Sequence, residues 1–245
     1  MINLQYRGQS DINSGFGNHL FQYACCRILS KRTKYFLNAK KPGNFYESDL
    51  GENNNVIIQD NPIIYSDIWQ MDYDKLSEHK GMICINGYYQ VYENIKNDKE
   101  YVKKIYSFEK NQSLYDDDLI AVHIRLGEYY RDNNNLPSEY YIDVIEDSKK
   151  VPVIYTDEPN HSLITEIKDV FDCEVVSNSE WQDFVDIASH KNIAISQSSY
   201  SWWAAWLSDA TRIYYPRTSK KYWQHRKDGN DIDVIVDDEA RYIYV

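Results

Sequence analysis

The stretch VPVIYTDEPNHSLITEIKDVFDCEVVSNSEWQDFVDIASHKNIAIS, residues 151–196, decides the fold class, because its hydrophobic period switches back and forth between strand and helix spacing. VPVIY at 151–155, CEVVS at 173–177 and NIAIS at 192–196 are short runs of strand length. Between the first two, HSLITEIKDVF sets Leu163, Ile164, Ile167, Val170 and Phe171 on one helical stripe. Between the second and third, SEWQDFVDIASHK does the same with Trp181, Phe184, Ile187 and Ala188, and Ser177 or Ser179 is placed to cap the helix start. Strands alternating with amphipathic helices have to be joined by crossovers, and the result is a parallel sheet covered by helices.

Working outward, LIAVHI at 119–124 and RIYYP at 212–216 extend the same sheet. The first half reads less cleanly. Ile2–Tyr6, Lys34–Asn38, Val56–Gln59 and Met82–Ile85 have strand character, and helices are expected from Asn18 to about Lys31 and from about Glu93 to Tyr106. The acidic run Asp116–Asp118 lies between the last of these helices and the strand at 119, so the domain junction is placed there. The expected architecture is α/β, with two Rossmann-like lobes, residues 1–115 and 116–245, each with a parallel sheet, and a cleft between them.

A chain of 245 residues with 42% apolar and 15% aromatic content can build such cores. Its 38 acidic against 27 basic residues leave a net charge of −11, which repels a phosphate backbone and argues against a nucleic-acid partner. An anionic ligand would need a local basic site. The four cysteines, Cys25, Cys26, Cys84 and Cys173, form no CxxC pair and read as reduced thiols. The opening MINLQYRGQS lacks a basic start followed by an apolar run, and no apolar stretch approaches the ~20 residues that span a bilayer. A soluble, cytoplasmic protein without a transmembrane segment is expected.

In an open parallel sheet, ligands bind outside the carboxyl ends of the strands. The residues at those ends here are His123 and Arg125; Thr156 and Asp157; Asn178 and Ser179; and Gln197, Ser198, Ser199 and Ser201. A nucleoside diphosphate calls for such a set: a planar guanidinium and helix-start amides for the phosphates, hydroxyls for their oxygens, and a carboxylate for a ribose or base edge. The plainer reading of each member is structural, since a serine at a helix start is usually a cap and Asp157 before Glu-Pro is usually a turn. In the first lobe, SGFGNHLFQYACC places Gly15 and Gly17 directly before a helix whose apolar face holds Leu20, Phe21, Ala24, Cys25 and Ile28. Glycines there let backbone approach a ligand, although a tight turn is the commoner meaning.

Three segments together resemble a known family. SGFGNHLFQYA is similar to the opening GGLGNQMFQYA of family 11 α-1,2-fucosyltransferases, VHIRLGEYY to their HxRRGDY, and ISQSSYSWWAAWLS to their SNSTFSWWxAWL. NGYYQ at 86–90, LPSEYY at 136–141 and YTDEP at 155–159 echo further segments, and all keep the family's order. Several motifs in sequence are more specific than any one. The resemblance implies a GT-B-like fold, GDP-fucose as donor, inversion at the anomeric carbon, an oligosaccharide acceptor, and neither cofactor nor required metal. Carried over, Arg125 holds the diphosphate, His123 matches the motif histidine, Asn18 faces the donor, and Ser199 and Ser201 match the hydroxyl positions before the tryptophan pair. The expected catalytic residues are Arg125, Asn18 and Glu128. The expected donor-binding residues are Gly15, Gly17, Asn18, His123, Arg125, Asp157, Ser198, Ser199 and Ser201. Trp202 and Trp203 are assigned to core or site wall.

Leu126 stands where the family has a second arginine, Glu128 replaces its aspartate and His19 its glutamine. The missing charge is worth roughly 1.5 to 3 kcal/mol at a diphosphate, and Arg7, Arg131, Arg217 or Lys220 are the available replacements. Two other readings stay open: a transferase for a different nucleotide sugar, and a nucleotide-sugar or glycan-binding module that has lost its chemistry. A metal-dependent transferase would use one of the acidic triplets at 72–74, 116–118 or 231–233, but none follows a buried strand. The chain has neither a GxGxxG after its first strand nor a GxSxG, which leaves dehydrogenase and serine hydrolase readings unsupported.

Overall fold

The computed structural model describes residues 1–5, 15–46, 62–65, 69–127, 135–217 and 234–245. They form two compact units that divide between Phe108 and Glu109, with Val234 and Ile235 counted in the first and Val236–Val245 in the second. Among the described residues there are ten strands and eight α-helices, and both sheets are entirely parallel. This is the α/β class with two parallel sheets expected from the sequence, and it is consistent with a GT-B-like fold. No helix among the described residues is long and apolar enough to cross a membrane.

The second unit carries β5 (Leu119–Ile124), α5 (Ser138–Ser148), β6 (Val151–Thr156), α6 (Ser162–Lys168), β7 (Glu174–Val176), α7 (Glu180–Ser189), β8 (Asn192–Ala194), α8 (Ser199–Leu207), β9 (Arg212–Tyr215) and β10 (Tyr242–Tyr244). The strand order is β10-β9-β8-β5-β6-β7. The chain therefore winds outward from β5 to β7, then crosses back to place β8 on the other side of β5. That reversal makes the carboxyl ends of β5 and β8 the switch point of the sheet. On one face, Ile120, Val122 and Ile124 of β5 pack with Tyr141, Val144 and Ile145 of α5 and Leu163, Ile164 and Ile167 of α6. Spacings of three and four put each helical set on one stripe. Ser179 is the N-cap of α7, its side chain accepting from the Gln182 amide, and Ser198 is the N-cap of α8.

The first unit carries β1 (Ile2–Leu4), α1 (Phe16–Thr33), β2 (Leu37–Asn38), β3 (Ile63–Tyr65), α2 (Tyr73–Glu78), β4 (Ile83–Ile85), α3 (Glu93–Lys96) and α4 (Lys99–Ile105), with strand order β2-β1-β4-β3. It changes direction twice, from β1 out to β2, across to β3 and back to β4, and its switch point lies between β1 and β4. Leu20, Phe21, Ala24, Cys25 and Ile28 of α1 are fully buried. At the other end of α1, Lys31 and Arg32 both bind the Asp98 carboxylate, at 2.9 and 3.1 Å. The single helix expected from Glu93 to Tyr106 is two, broken at Asn97 and Asp98, and Asp98 is the residue that Lys31 and Arg32 hold. The strand expected at Val56–Gln59 lies outside the described residues; β3 and β10 are strands the sequence reading did not include.

Candidate functional site

Register explains how the second unit gathers its polar groups. β8 pairs with β5 only at Ala121↔Ile193 and Val122↔Ala194, whereas β6 accompanies β5 to its end at Ile124↔Thr156. His123 thus lies one step beyond the end of β8, in the place where the chain leaving that strand brings Ser196. Its ring Nδ1 is 2.8 Å from Ser196 Oγ, and both residues are buried. Burial first, and the neighbouring Arg125 guanidinium second, push the His123 pKa down to about 3, so the ring is neutral at ordinary pH.

Arg125 follows β5 directly. Its Nη1 donates to Asp157 Oδ2 at 2.6 Å, and the other Asp157 oxygen accepts from the Leu126 amide at 2.9 Å. Asp157, just past β6, therefore grips both a side chain and the backbone of the strand end beside it. A carboxylate was expected there to receive a ribose or base edge; in this structure its oxygens hold Arg125 and Leu126. Gly127 permits the grip, since a Cβ there would lie 2.5 Å from Asp157 Oδ2. Leu126 is fully buried among Leu136, Tyr141 and the β5 side chains. A second arginine at this position would bury a charge in an apolar core, so the departure from the motif is matched by packing.

The serines divide. Ser198 Oγ accepts from the Tyr200 amide at 3.3 Å, and Ser199 opens α8, partly exposed. Ser201 is fully buried and donates to the Ser198 carbonyl at 3.3 Å, so it lies behind the rim. Trp202, Trp203 and Trp206 are fully buried in one cluster with ring centroids 5.1 to 5.8 Å apart, which decides for core. Asn178 donates its amide to Asp183, and Ser179 is the cap already described. The Arg217 guanidinium stands over the Tyr244 ring at 5.6 Å. Glu128, Arg7, Arg131 and Lys220 lie outside the described residues.

In the first unit, Gly15 precedes α1 with extended backbone and has open space where a Cβ would stand, while Gly17 is buried in the first helical turn. Asn18, in that same turn, accepts through Oδ1 from the Gln90 side-chain amide. Gln90 follows β4 and Asn18 lies in the helix after β1, so the pair links the segments that follow the two strands at the switch point of this sheet. Beneath it lies a device that sequence reading missed. Tyr89 is fully buried with φ of 55°, a left-handed conformation uncommon for a bulky side chain. Its carbonyl accepts from the Val91 amide at 2.8 Å and from Asn94 Nδ2 at 3.1 Å. Asn94 also donates to the Trp69 carbonyl at 2.7 Å and accepts from the Met71 amide at 2.9 Å, so both its side-chain N–H groups are used while it fixes the turn that carries Gln90.

Of the expected residues, the structure brings His123, Arg125, Asp157 and Ser198 to the second switch point, and Gly15, Gly17 and Asn18 to the first. Those missed were Ser196, Gly127, Gln90 as a contact, and Asn94. Gly127 was legible as a glycine two residues past a strand-end arginine; Ser196 was hidden because NIAIS reads as strand through its last residue.

No family model matches the chain. It is similar to the O-antigen biosynthesis glycosyltransferase WbnK of Escherichia coli, at 29% identity over 155 residues. The match takes in 56% of this chain and 48% of that relative, so it spans about half of the relative's length. A distant homologue of this chain is thus a glycosyltransferase.

Proposed function

We propose that the chain is a glycosyltransferase that takes L-fucose from GDP-fucose, inverts the anomeric carbon and delivers the sugar to an oligosaccharide hydroxyl in α-1,2 linkage, without a required metal. The observation that carries this reading is Arg125 at the switch point of the second sheet, braced by Asp157. As the bond between fucose and the diphosphate breaks, negative charge grows on the leaving phosphate, and a guanidinium already fixed by a carboxylate pays no reorganisation cost at that moment. The order of the three motif segments supports fucose as the sugar, and the likeness to an O-antigen transferase supports a glycan acceptor. The base for the acceptor hydroxyl is proposed to be one of Glu128, His19, Asp11 and Asp67.

The acidic triplets in the described residues are engaged locally. Asp72 caps α2 by accepting from the Lys75 amide, and Asp116 accepts from the Asp118 amide at 2.8 Å. A second reading, a nucleotide-sugar-binding module without turnover, is favoured by one feature, the buried Leu126 in place of a second cation.

The test is a panel of GDP- and UDP-sugars screened for thermal stabilisation, followed by transfer assays with and without EDTA. Stabilisation by GDP-fucose with EDTA-resistant transfer is expected. Preference for a UDP-sugar, or loss of transfer in EDTA, would overturn donor or mechanism. Binding of GDP by calorimetry with neither transfer nor donor hydrolysis would select the module.

A further inference from the structure

His123, Ser196, Ser198 and Ser201 form a chain of polar groups whose direction is set by where the Ser201 hydroxyl donates. Ser201 Oγ donates to the Ser198 carbonyl at 3.3 Å, Ser196 Oγ lies 3.4 Å from Ser201 Oγ, and His123 Nδ1 lies 2.8 Å from Ser196 Oγ. The three serines and the ring are all buried, so their hydrogens must be satisfied inside the protein. A carbonyl only accepts and a hydroxyl has one hydrogen. With the Ser201 hydrogen on the Ser198 carbonyl, Ser201 Oγ meets Ser196 as an acceptor. The Ser196 hydrogen then points to Ser201, and Ser196 Oγ in turn accepts from the ring. The opposite orientation, Ser196 donating to Nδ1, needs the Ser201 hydrogen to leave the Ser198 carbonyl for Ser196 Oγ, the longer of its two contacts at 3.4 against 3.3 Å. The orientation that keeps the Ser198 bond puts the ring proton on Nδ1. Among the described residues, Ser196 is the hydrogen-bond partner of the ring and no partner reaches Nε2.

We propose that Ser196 and Ser201 are positioning residues that hold His123 as the Nδ1–H tautomer, so that Nε2 offers a lone pair and accepts a hydrogen bond from a ligand hydroxyl. This rests on the nucleotide-sugar reading for its ligand. It also separates two roles on one strand end: the Arg125 guanidinium takes phosphate oxygens, which an unprotonated Nε2 repels, and the imidazole takes a hydroxyl of the ribose or the sugar. Because the ring is neutral, its tautomer and not its charge decides what it binds.

The tautomer is read directly by nitrogen-15 spectroscopy of the histidine rings in the full chain, with His123 assigned by the resonances lost in His123→Gln. A protonated Nδ1 and unprotonated Nε2 are expected in the wild type, with a shift toward Nε2–H in both Ser196→Ala and Ser201→Ala. Unchanged resonances of the other five of the six histidines show that each variant is folded. An Nε2–H ring in the wild type, or a tautomer unmoved by both substitutions, overturns the assignment. Titration with GDP and GDP-fucose then tests the ligand half. Ser196→Ala is expected to weaken binding about fivefold, the size of one neutral hydrogen bond. Loss with both probes places the hydroxyl on the ribose, loss with GDP-fucose alone places it on the sugar, and unchanged affinity for both overturns the ligand half. A wild type that binds neither probe overturns the nucleotide-sugar reading and that half with it, while the spectrum decides the tautomer independently.

Discussion

The two sheets share a plan and differ in chemistry where it counts. Each is parallel and has a switch point between two central strands, and each carries polar residues on the segments that follow those strands. At β1 and β4 these are uncharged amides, Asn18 bonded to Gln90. At β5 and β8 they are a guanidinium with its carboxylate brace, a desolvated imidazole and serine hydroxyls. Topology places both switch points, and side-chain type tells them apart. Amides suit hydroxyl-rich, neutral ligands, whereas a braced cation suits a diphosphate, and on a chain of net charge −11 that cation has to act locally. The mounting also differs. The cation is held by a partly exposed ion pair, with side chains 35% and 30% exposed, so the pair adds little to stability. The amide pair sits on a turn locked from below by a buried asparagine.

The sharpest way to break this contrast is Arg125→Ala. Transfer from GDP-fucose is expected to fall by about 100- to 1,000-fold, the usual effect of removing one preorganised donor from a developing anion, with the urea midpoint unchanged. Near-normal turnover would remove the distinction between the two switch points.

Next in size is an acid sensitivity of the second unit. Burial lowers the His123 pKa to about 3, with Arg125 contributing, and lowers that of His190 to about 4. Both lie below the unfolded value of about 6.5, so as pH falls below that value the unfolded chain takes up protons that the folded unit refuses. Stability from this source is fully present above about pH 6.5 and is lost as pH drops toward the folded values. From pH 7 to 5 the loss from the two rings is about 4 kcal/mol. Asp183 and Asp186, raised chiefly by burial, act in the opposite sense. Urea unfolding followed through the buried Trp202, Trp203 and Trp206 measures it, and His190→Asn should shallow the pH slope by about half. An unaltered slope would show that His190 is not the source.

Asn94 tests the mounting of the first switch point. Asn94→Ala strands the Met71 amide and frees the Tyr89 turn, at a cost of about 2 kcal/mol in urea unfolding. Asn94→Asp should be worse, because it keeps the shape but sets carboxylate oxygens against the Trp69 and Tyr89 carbonyls. The reverse ranking would mean that shape, not donor count, matters there. Smaller again is Gly127→Ala. The added carbon displaces Asp157 Oδ2 and should weaken GDP binding about tenfold, or ~1.4 kcal/mol, while the urea midpoint stays within error.

The sequence was most legible where strands are long and flanked by amphipathic helices. β5 was read at its true bounds, and β6, β7 and β9 within two residues, because their periodicity is strong and their crossovers short. It was least legible where tertiary contact overrides local pattern. β3 and β10 are three-residue strands, too short to show a period of their own, and at the break between α3 and α4 Asp98 binds Lys31 and Arg32 of α1. The site shows the same split. Strand-end residues such as Arg125 and Asp157 follow from topology, but that Asp157 grips Arg125, or that Asn94 lies under Gln90, depends on side chains meeting across loops. Leu126 is the instructive case: a missing motif charge in the sequence, a core residue in the structure.

The smallest effect discriminates most finely. If Asn18 and Gln90 recognise a neutral ligand as a pair, Asn18→Ala and Gln90→Ala should each raise the KM for one substrate about fivefold, or ~1 kcal/mol, with kcat little changed. The double variant should fall short of the product of the two, because each single substitution already breaks the shared hydrogen bond. Their effects should also be indifferent to salt, whereas GDP binding through Arg125 weakens as ionic strength rises. Additive losses would show two independent contacts, and a salt-dependent loss would show that the first switch point sees charge after all. Either result would redraw the line proposed between an amide pair suited to hydroxyls and a cation suited to phosphate.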